Sequence, residues 1–280
     1  PMRRAILTEP KDDREACFWA TPCGRGCSIG AAFQTTTSVL RWAMNTGNLK
    51  IVTDAMVKEV HLDEAGKTSG VTFVNRTNRA DVRVDGDHII LAASACETAR
   101  LLLNSKSEAF PNGLANSSGQ VGRNLTDSLG AGISGYIPAL RDRPKYNEDG
   151  HTGNHLYIPW WDREGQKDGS LNFSRGYHFE VGARFSSPGM GVAGRVDGFG
   201  KGAKDEIRSS YGTSIGLSLR GEMLVSDDCY CEIDEGTVDQ WGIPVLKFHW
   251  KWSEQEINQV AHGLEWGKKI IEAMGGIVNN

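Results

Sequence analysis

Residues 88–105 read HIILAASACETARLLLNS, and their hydrophobic period changes part-way along the stretch. His88 to Ala92 form a continuous apolar run, which suits a strand that is buried on both faces. Glu97 to Asn104 instead carry apolar residues at helical spacing. The stretch therefore predicts a buried strand, a turn of small residues and a helix.

The turn consists of Ala92, Ala93, Ser94 and Ala95. Such small residues let the backbone approach a ligand closely. The free amides at the start of the helix point towards that ligand, which suits a phosphate or a dinucleotide. Small residues also occur wherever a helix packs tightly on a strand. The turn by itself leaves both interpretations open.

Upstream of this unit, the sequence predicts one helix and several short strands. Residues 35–46 carry apolar residues on one helical face and are followed by Gly47, a good C-terminal stop. Strands are expected at residues 49–52, 56–62, 71–74 and 81–84, with a turn at residues 64–69.

Three cysteines precede that helix: Cys17, Cys23 and Cys27 in CFWATPCGRGC. Two glycines before Cys27 allow a loop that brings the thiols together. Zinc is the weaker interpretation, because a closed structural zinc site takes four ligands and no histidine lies nearer than His61. Three thiolates suit an iron–sulfur cluster with three irons, or a four-iron cluster with one corner held otherwise. A disulfide with one free thiol, and thiols with no redox role, remain open.

Downstream of about residue 130, the sequence becomes glycine-rich and aromatic, and short strands alternate with turn residues. This texture predicts a largely antiparallel sheet in a domain of its own. A final helix is expected at about residues 254–274, since Ser253 and Glu256 form a capping box before it and Gly275 ends it. The expected fold class is α+β, with mixed helices and strands.

Length and charge restrict the class of protein. The 280 residues suffice for one large or two moderate cores. A net charge of −4 and an isoelectric point near 6.0 give no basic surface for nucleic acid. No run of about eighteen apolar residues predicts a transmembrane segment, and the first residues lack the apolar centre of a signal peptide. A soluble globular protein is the expectation.

The stretch ASACETARLLLNSKSEAFPNGLANSSGQVGRNLTDS at residues 93–128 resembles the second signature region of the glucose-methanol-choline (GMC) flavin oxidoreductases. In that region a small-residue turn, a helix and a VGRNL segment recur in this order. The likeness extends from the cysteine loop to WGIPVLKFHW, and it looks closest to the catalytic subunits of bacterial FAD-dependent sugar dehydrogenases. The resemblance implies a partial FAD-binding domain at residues 1–130 and a substrate domain at residues 131–280.

The resemblance also implies which residues contact FAD. The matching residues are Val57, Ala92, Ala93, Ser94 and Asn124. Val57 corresponds to a residue whose backbone meets the adenine, and Asn124 lies in the VGRNL segment beside the cofactor. Without the resemblance, Val57 is an ordinary sheet residue and Asn124 a turn or cap residue. Family members close to this chain often have His where it has Ser128, so the wall that faces the flavin differs in detail.

Substrate contacts are expected in the strand-rich half of the chain. Sugar binding favours aromatic faces together with a few polar groups that fix orientation. This half contains Trp160, Trp161, Tyr177, His178, Glu180, Glu222, His249, Trp250 and Trp252. Of these, we expect Glu222, His178 and Trp250 to contact the substrate. Aromatic residues of a sheet are also commonly core residues, and carboxylates there also serve in strand pairing.

The activity that the resemblance implies is hydride transfer from a sugar or other alcohol to FAD. The base would be a catalytic histidine, which we expect outside this chain, and the chain also lacks the family's GxGxxG unit. We therefore expect the middle of a longer enzyme or a split enzyme that another chain completes. A periplasmic or membrane-associated location follows if the sugar dehydrogenase resemblance holds.

The cysteine loop is relevant to the path by which electrons leave the reduced flavin. In the sugar dehydrogenase subgroup such a loop holds a 3Fe-4S cluster, and Cys17, Cys23 and Cys27 match its spacing. Electrons would then leave through the cluster to a cytochrome or a small partner subunit, which makes the enzyme a dehydrogenase. Without the cluster, an oxidase that passes electrons to oxygen becomes an alternative to a dehydrogenase. The alternatives are a non-catalytic binding or structural subunit and a cysteine-based redox module.

Overall fold

The computed structural model describes residues 5–18, 26–141, 143–144, 156–183 and 196–279. The chain divides into two compact units. The first consists of Pro1–Leu49, Ser128–Met223 and Ser253–Asn280, and the second of Lys50–Asp127 and Leu224–Trp252. Neither unit coincides with the segments 1–130 and 131–280. Strands and helices pack against the partners that bury their apolar faces, whatever their separation along the chain.

Within the described residues, the strands are β1 (Ala55–Leu62), β2 (Thr68–Asn75), β3 (Asp81–Asp85), β4 (Ser128–Tyr136), β5 (Leu156–Ile158), β6 (Tyr177–Ala183), β7 (Ser214–Glu222), β8 (Tyr230–Val238), β9 (Pro244–His249) and β10 (Ile277–Val278). The helices are α1 (Val39–Asn45), α2 (Ser94–Asn104), α3 (Arg163–Asp168), α4 (Gly200–Ser210) and α5 (Glu254–Ala273). None of these helices is both long enough and apolar enough to cross a bilayer.

The sheet of the first unit has five antiparallel strands in the order β10–β4–β7–β6–β5. Its strands alternate between buried apolar residues and small or polar residues, as a sheet with one packed face requires. Leu129, Phe179, Leu217 and Leu219 are at most 1% exposed and share a core with Ile271 of α5. Helix α5 therefore covers one face of this sheet.

Two glycines let α5 lie close to the sheet. A Cβ added at Gly263 would overlap Leu219 Cδ1, and one added at Gly267 would lie 2.6 Å from Ile133 Cγ2. The helix begins at the predicted capping box, in which the backbone N–H of Ser253 donates to Glu256 Oε2 at 2.8 Å. It ends at Ala273, one residue before the predicted end.

The second unit contains a three-stranded antiparallel sheet, β1–β2–β3, and a separate antiparallel pair, β8–β9. Helix α2 packs on β1, with Leu101 and Val60 in one small core. Arg100 of α2 reaches the end of the β8–β9 hairpin, where it donates to Asp239 Oδ2 at 2.8 Å and to the Ile243 carbonyl at 2.9 Å. The predicted α+β class is confirmed.

Two predicted strands are wrong. Residues 49–52 and 88–92 have no regular secondary structure, and Ile90 is 89% exposed. A strand needs neighbours that pair with its N–H and C=O groups, and no strand of the described residues pairs with either segment. The helix predicted at residues 35–46 is instead a 3₁₀ turn followed by the shorter α1, because the backbone angles of Ser38 (φ −128°, ψ −101°) are not helical.

Candidate functional site

The face of the five-stranded sheet that α5 leaves open is polar. It is formed by the residues that alternate with the buried leucines and Phe179 along β4, β6 and β7. These residues are Ser128, Gly130, Gly132, Ser134, His178, Glu180, Gly182, Gly216, Ser218, Arg220 and Glu222. Strand pairing places Ser128 opposite Glu222 and His178 opposite Arg220. We call this surface the polar face.

A cleft of about 490 Å³ opens at one end of the polar face. Its wall includes the side chains of Tyr157, Trp160, Arg175, His178, Arg220 and Glu222. The volume lies in the range of ligand pockets in proteins. Two of the three predicted substrate residues, His178 and Glu222, thus line one cleft, because antiparallel β6 and β7 present them on the same face.

The environment of His178 favours a neutral imidazole. Burial lowers the pKa of His178; Glu180, whose Oε1 lies 3.9 Å from His178 Nε2, raises it, and Arg220 lowers it. The net pKa is below the ordinary value, so the ring is neutral at pH 7. The ring centroid lies 4.2 Å from that of Tyr157, which holds the imidazole against the cleft wall. A neutral imidazole offers one donor and one acceptor, which suits a hydroxyl group.

Arg175 and Glu222 lie next to each other in the cleft wall. Arg175 Nε lies 3.9 Å from Glu222 Oε2, and the two side chains are 57% and 68% exposed. This separation is longer than a hydrogen bond. A carboxylate that only accepts and a guanidinium that only donates can therefore both bind hydroxyl groups of a ligand.

Trp250, the third predicted substrate residue, does not line this cleft. It belongs to the second unit and follows directly after β9, where its ring lies 5.9 Å from that of Trp252. The two tryptophans are 43% and 37% exposed. Its role in substrate binding stays a prediction.

The predicted FAD-contacting residues all lie in the second unit. Val57 is 38% exposed on β1, beside a bulge at Lys58. The turn Ala92–Ser94 is exposed, and Ser94 has a left-handed backbone with φ 72°. No side chain caps the start of α2, so amides of its first turn are available to a negatively charged group. Asn124 also has a positive φ, 54°, and its Nδ2 donates to Gln120 Oε1 at 3.2 Å.

Of the three cysteines predicted to bind a cluster, Cys23 lies outside the described residues. Cys27 Sγ accepts a hydrogen bond from the backbone N–H of Ala32 at 3.4 Å. Burial raises the pKa of the Cys27 thiol, but hydrogen bonds from the amides of residues 29–32 outweigh burial and lower it. Cys27 is thus suited to the thiolate form. Among the described residues, no three His, Cys, Asp or Glu side chains are grouped so as to hold a metal ion.

Three residues of the cleft wall were not predicted from the sequence: Tyr157, Arg175 and Arg220. For Arg220 a signal was available, because Arg220 alternates with Glu222 and is two residues from it on a predicted strand. Tyr157 and Arg175 had no such signal, since their place depends on how β5 and the turn before β6 meet the sheet.

A partly buried hydrogen-bond chain adjoins the cleft at Tyr177. Trp266 Nε1 donates to His262 Nε2 at 3.1 Å, which requires a neutral imidazole with its proton on Nδ1. His262 Nδ1 lies 2.8 Å from the hydroxyl of Tyr177, a residue of the cleft wall. Burial lowers the pKa of His262; Asp162 and Glu265 raise it and Lys269 lowers it. Burial raises the pKa of the Tyr177 hydroxyl, so Tyr177, like His262, stays neutral.

We expect stability to fall as the pH drops below about 6.5. The pKa of His262 is lower in the folded than in the unfolded chain. The unfolded state therefore binds more protons below its own pKa, and stability is lost as pH falls towards the folded pKa. Urea titrations at pH 7.5 and 5.5 measure this loss. His262→Gln should reduce it without abolishing it, since His178 contributes with the same sign. His88→Gln, at an exposed residue, should leave the loss unchanged, and an unchanged loss in His262→Gln would contradict the prediction.

Comparison with known families identifies the first part of the chain. Residues 5–129 match the GMC oxidoreductase family. This stretch, somewhat less than half of the chain, is similar to GMC oxidoreductases. The matched segment contains the cysteine loop, the exposed turn before α2 and Asn124. The resemblance of residues 93–128 to this family is thereby confirmed.

Proteins that resemble this chain act on alcohols and sugars according to their names. The chain is 25% identical over 285 residues to 2-methyl-1,2-propanediol dehydrogenase of Mycolicibacterium austroafricanum, covering 100% of this chain and 50% of that protein. It is 31% identical over 134 residues to fructose dehydrogenase large subunit of Gluconobacter japonicus, and the match covers 48% of this chain and 24% of that protein. It is 30% identical over 163 residues to paromamine 6'-oxidase of Streptomyces fradiae, and the match covers 58% of this chain and 30% of that protein. The chain thus spans half the length of the first of these relatives and less of the others.

A solved structure shares the fold of this chain. The structure of formate oxidase from Aspergillus oryzae, determined in a study of its FAD modification, superposes with a TM-score of 0.52 at 19% identity. The superposition covers 81% of this chain and 44% of the formate oxidase chain. At this identity the likeness establishes the fold.

Proposed function

We propose that this chain is the part of an FAD-dependent enzyme that binds substrate and contributes to the flavin site, and that the enzyme oxidises an alcohol group of a sugar or glycoside. The observation that carries the proposal is the cleft of the polar face within a GMC chain. The cleft combines the aromatic side chains of Tyr157 and Trp160 with donors and acceptors on Arg175, His178 and Glu222. Aromatic faces beside a few polar groups suit the alternating C–H and O–H surface of a sugar.

The residues of the second unit fit an FAD molecule. The uncapped start of α2 offers amides to a phosphate, and the exposed small residues Ala92 and Ala93 leave room for close approach. Val57 would hold the adenine through its backbone, and Asn124 would lie beside the flavin. The chemistry that FAD supplies when bound is acceptance of a hydride from the alcohol carbon. In the cleft, His178 and Glu222 orient the substrate by hydrogen bonds to its hydroxyl groups.

We further propose that Cys17, Cys23 and Cys27 hold a 3Fe-4S cluster that carries electrons away, which favours a dehydrogenase over an oxidase. The amides around Cys27 support this, because they stabilise a thiolate of the kind that binds iron. One relative is named as a large subunit, which supports a partner subunit as the next acceptor. A cytochrome is the other acceptor that we propose.

The substrate role of the cleft is tested with Glu222→Gln and His178→Asn. Each should lower kcat/KM for a sugar substrate by about tenfold or more, because each removes a group that orients a hydroxyl. Dye reduction by the flavin-loaded enzyme measures this, and flavin absorbance at about 450 nm confirms loading. Glu164→Gln is the matched control, since Glu164 lies on α3 with its side chain 88% exposed. Protein that takes up no flavin even when it is produced together with the rest of the enzyme would contradict the proposal and support a non-catalytic binding subunit.

The cluster is tested separately by iron and sulfide analysis of anaerobically purified protein. Cys27→Ser should lose most of the iron, since serine supplies no thiolate. Cys96→Ser, outside the cysteine loop, should keep it. Wild-type protein without iron would leave the cluster hypothesis without support and favour direct transfer to another acceptor.

A further inference from the structure

A second depression adjoins the cleft along the polar face. It has a volume of about 470 Å³ and is lined by parts of β4, β6 and β7, among them Gly132, Glu180, Gly216 and Ser218. Strand pairing places Glu180 opposite Ser218, two residues along β7 from Arg220. The cleft and this second depression therefore follow one another along the same strands.

The side chain of Arg220 lies at the boundary between the two depressions. Its Nε is 3.7 Å from Glu180 Oε2, a residue of the second depression, while Arg220 itself lines the cleft. A Cβ added at Gly130, the strand partner of Arg220, would lie 3.2 Å from Arg220 Nη1. The guanidinium therefore extends over Gly130 of β4 while its Nε faces Glu180 of β6.

This position of Arg220 limits the length of a ligand that the cleft can hold. From Gly216 to Glu222 the polar face extends over seven residues of β7. The six steps between them span about 20 Å at about 3.3 Å per residue. That length exceeds a single sugar ring, yet the guanidinium of Arg220 interrupts it. Guanidinium N–H groups donate to hydroxyl oxygens, so Arg220 also provides a polar end wall for a ligand in the cleft.

We propose that Arg220 determines the size of the substrate, limiting the cleft to polyhydroxylated compounds of one ring and separating it from the second depression. The proposal rests on the proposed function and adds the residue that selects substrate length. Removal of the guanidinium joins the two depressions into one groove, which then accepts compounds of two linked rings.

The test compares a one-ring and a two-ring sugar, methyl glucoside and maltose, in the wild type and in Arg220→Ser. Binding is measured by quenching of tryptophan fluorescence, to which Trp160 in the cleft wall contributes, and kcat/KM is measured in the flavin-loaded enzyme. The ratio of the dissociation constants, maltose over methyl glucoside, should fall about tenfold in Arg220→Ser. The ratio should be unchanged in Arg208→Ser, because Arg208 lies on α4 with its side chain 75% exposed. A purely structural role would weaken both sugars equally and leave the ratio unchanged.

Two results overturn the proposal: an unchanged ratio in Arg220→Ser, or no binding of either sugar to the wild type. Should Arg220→Ser fail to fold, Arg220→Lys keeps the charge without the planar guanidinium, and a ratio that stays at the wild-type value then overturns the proposal. Flavin absorbance and dye reduction report on the proposed function independently. A changed ratio without flavin or turnover would therefore reject the proposed redox function and keep the size-selecting role of Arg220.

Discussion

Arg100→Ala is expected to lower the free energy of unfolding by about 3–5 kcal/mol, because removal of one partner from a buried ion pair leaves the other without compensation. The Arg100 side chain is 8% exposed and that of its partner Asp239 is 18% exposed. The substitution also removes the donor that now lies 2.9 Å from the Ile243 carbonyl. The Pro244 carbonyl loses a donor at 2.8 Å but keeps Asn104 Nδ2 at 3.1 Å. Urea denaturation measures the loss.

The control for Arg100 is Arg83→Ala in the same unit. Arg83 Nε lies 2.7 Å from Asp85 Oδ1, but the side chains are 50% and 75% exposed. Exposed ion pairs contribute about 0–1 kcal/mol, so this variant should lie close to the wild type. Equal losses in the two variants would show that the Arg100 contacts do not join α2 to the β8–β9 hairpin as the structure indicates.

The Arg100 contacts also predict acid sensitivity of the same hairpin. Burial raises the pKa of Asp239, but hydrogen bonds from Arg100 and from the Ile243 and Trp241 amides lower it below the ordinary value. A carboxyl with a lowered folded pKa stabilises the fold above its unfolded pKa of about 3.9, and that stability is lost as pH falls through the folded pKa. This loss occurs at lower pH than that from His262.

Gly263→Ala is expected to destabilise the first unit by about 1–3 kcal/mol, the usual cost of overpacking a core. The new Cβ would overlap Leu219 Cδ1, and Leu219 is 1% exposed with no solvent to move into. Helix propensity alone predicts the opposite sign, since alanine favours a helix over glycine by about 0.5–1 kcal/mol. The sign of the change therefore separates packing from propensity.

Gly202→Ala is the matched variant for Gly263→Ala. Gly202 also lies within a helix, α4, but a Cβ there meets no atom within 4 Å. It should leave stability unchanged or raise it slightly, in thermal or urea denaturation. A stabilising effect of Gly263→Ala would show that α5 can move away from the sheet at little cost.

Local sequence signals predicted the elements that depend on local interactions. The capping box at Ser253 and Glu256 fixed the start of α5, because both partners of its hydrogen bonds lie within one turn. The hairpin strands β1, β2 and β3 were also anticipated, since alternation and turn residues act over a few positions. The strand prediction at residues 88–92 was wrong. An apolar run favours burial, but it does not supply the neighbouring strands that must pair with it.

The candidate site was predicted in part. His178 and Glu222 were named from residue type, and the antiparallel pairing of β6 with β7 places both in one cleft. Trp250 was named by the same reasoning and lies in the other unit. Residue type alone could not separate these cases, because a single residue shift in strand register moves a side chain to the opposite face.

The sequence by itself determined that this chain contains a segment resembling GMC oxidoreductases, that its fold mixes helices with antiparallel strands, and that Ser253 caps the start of α5. Those properties reside in short motifs and local hydrogen bonds, which are read along the chain. Only the tertiary structure decided that the polar face opposite α5 bears the cleft, that Arg220 divides it, and that His262 must stay neutral beside it. These depend on strand register and on burial, which arise when residues far apart in sequence pack together.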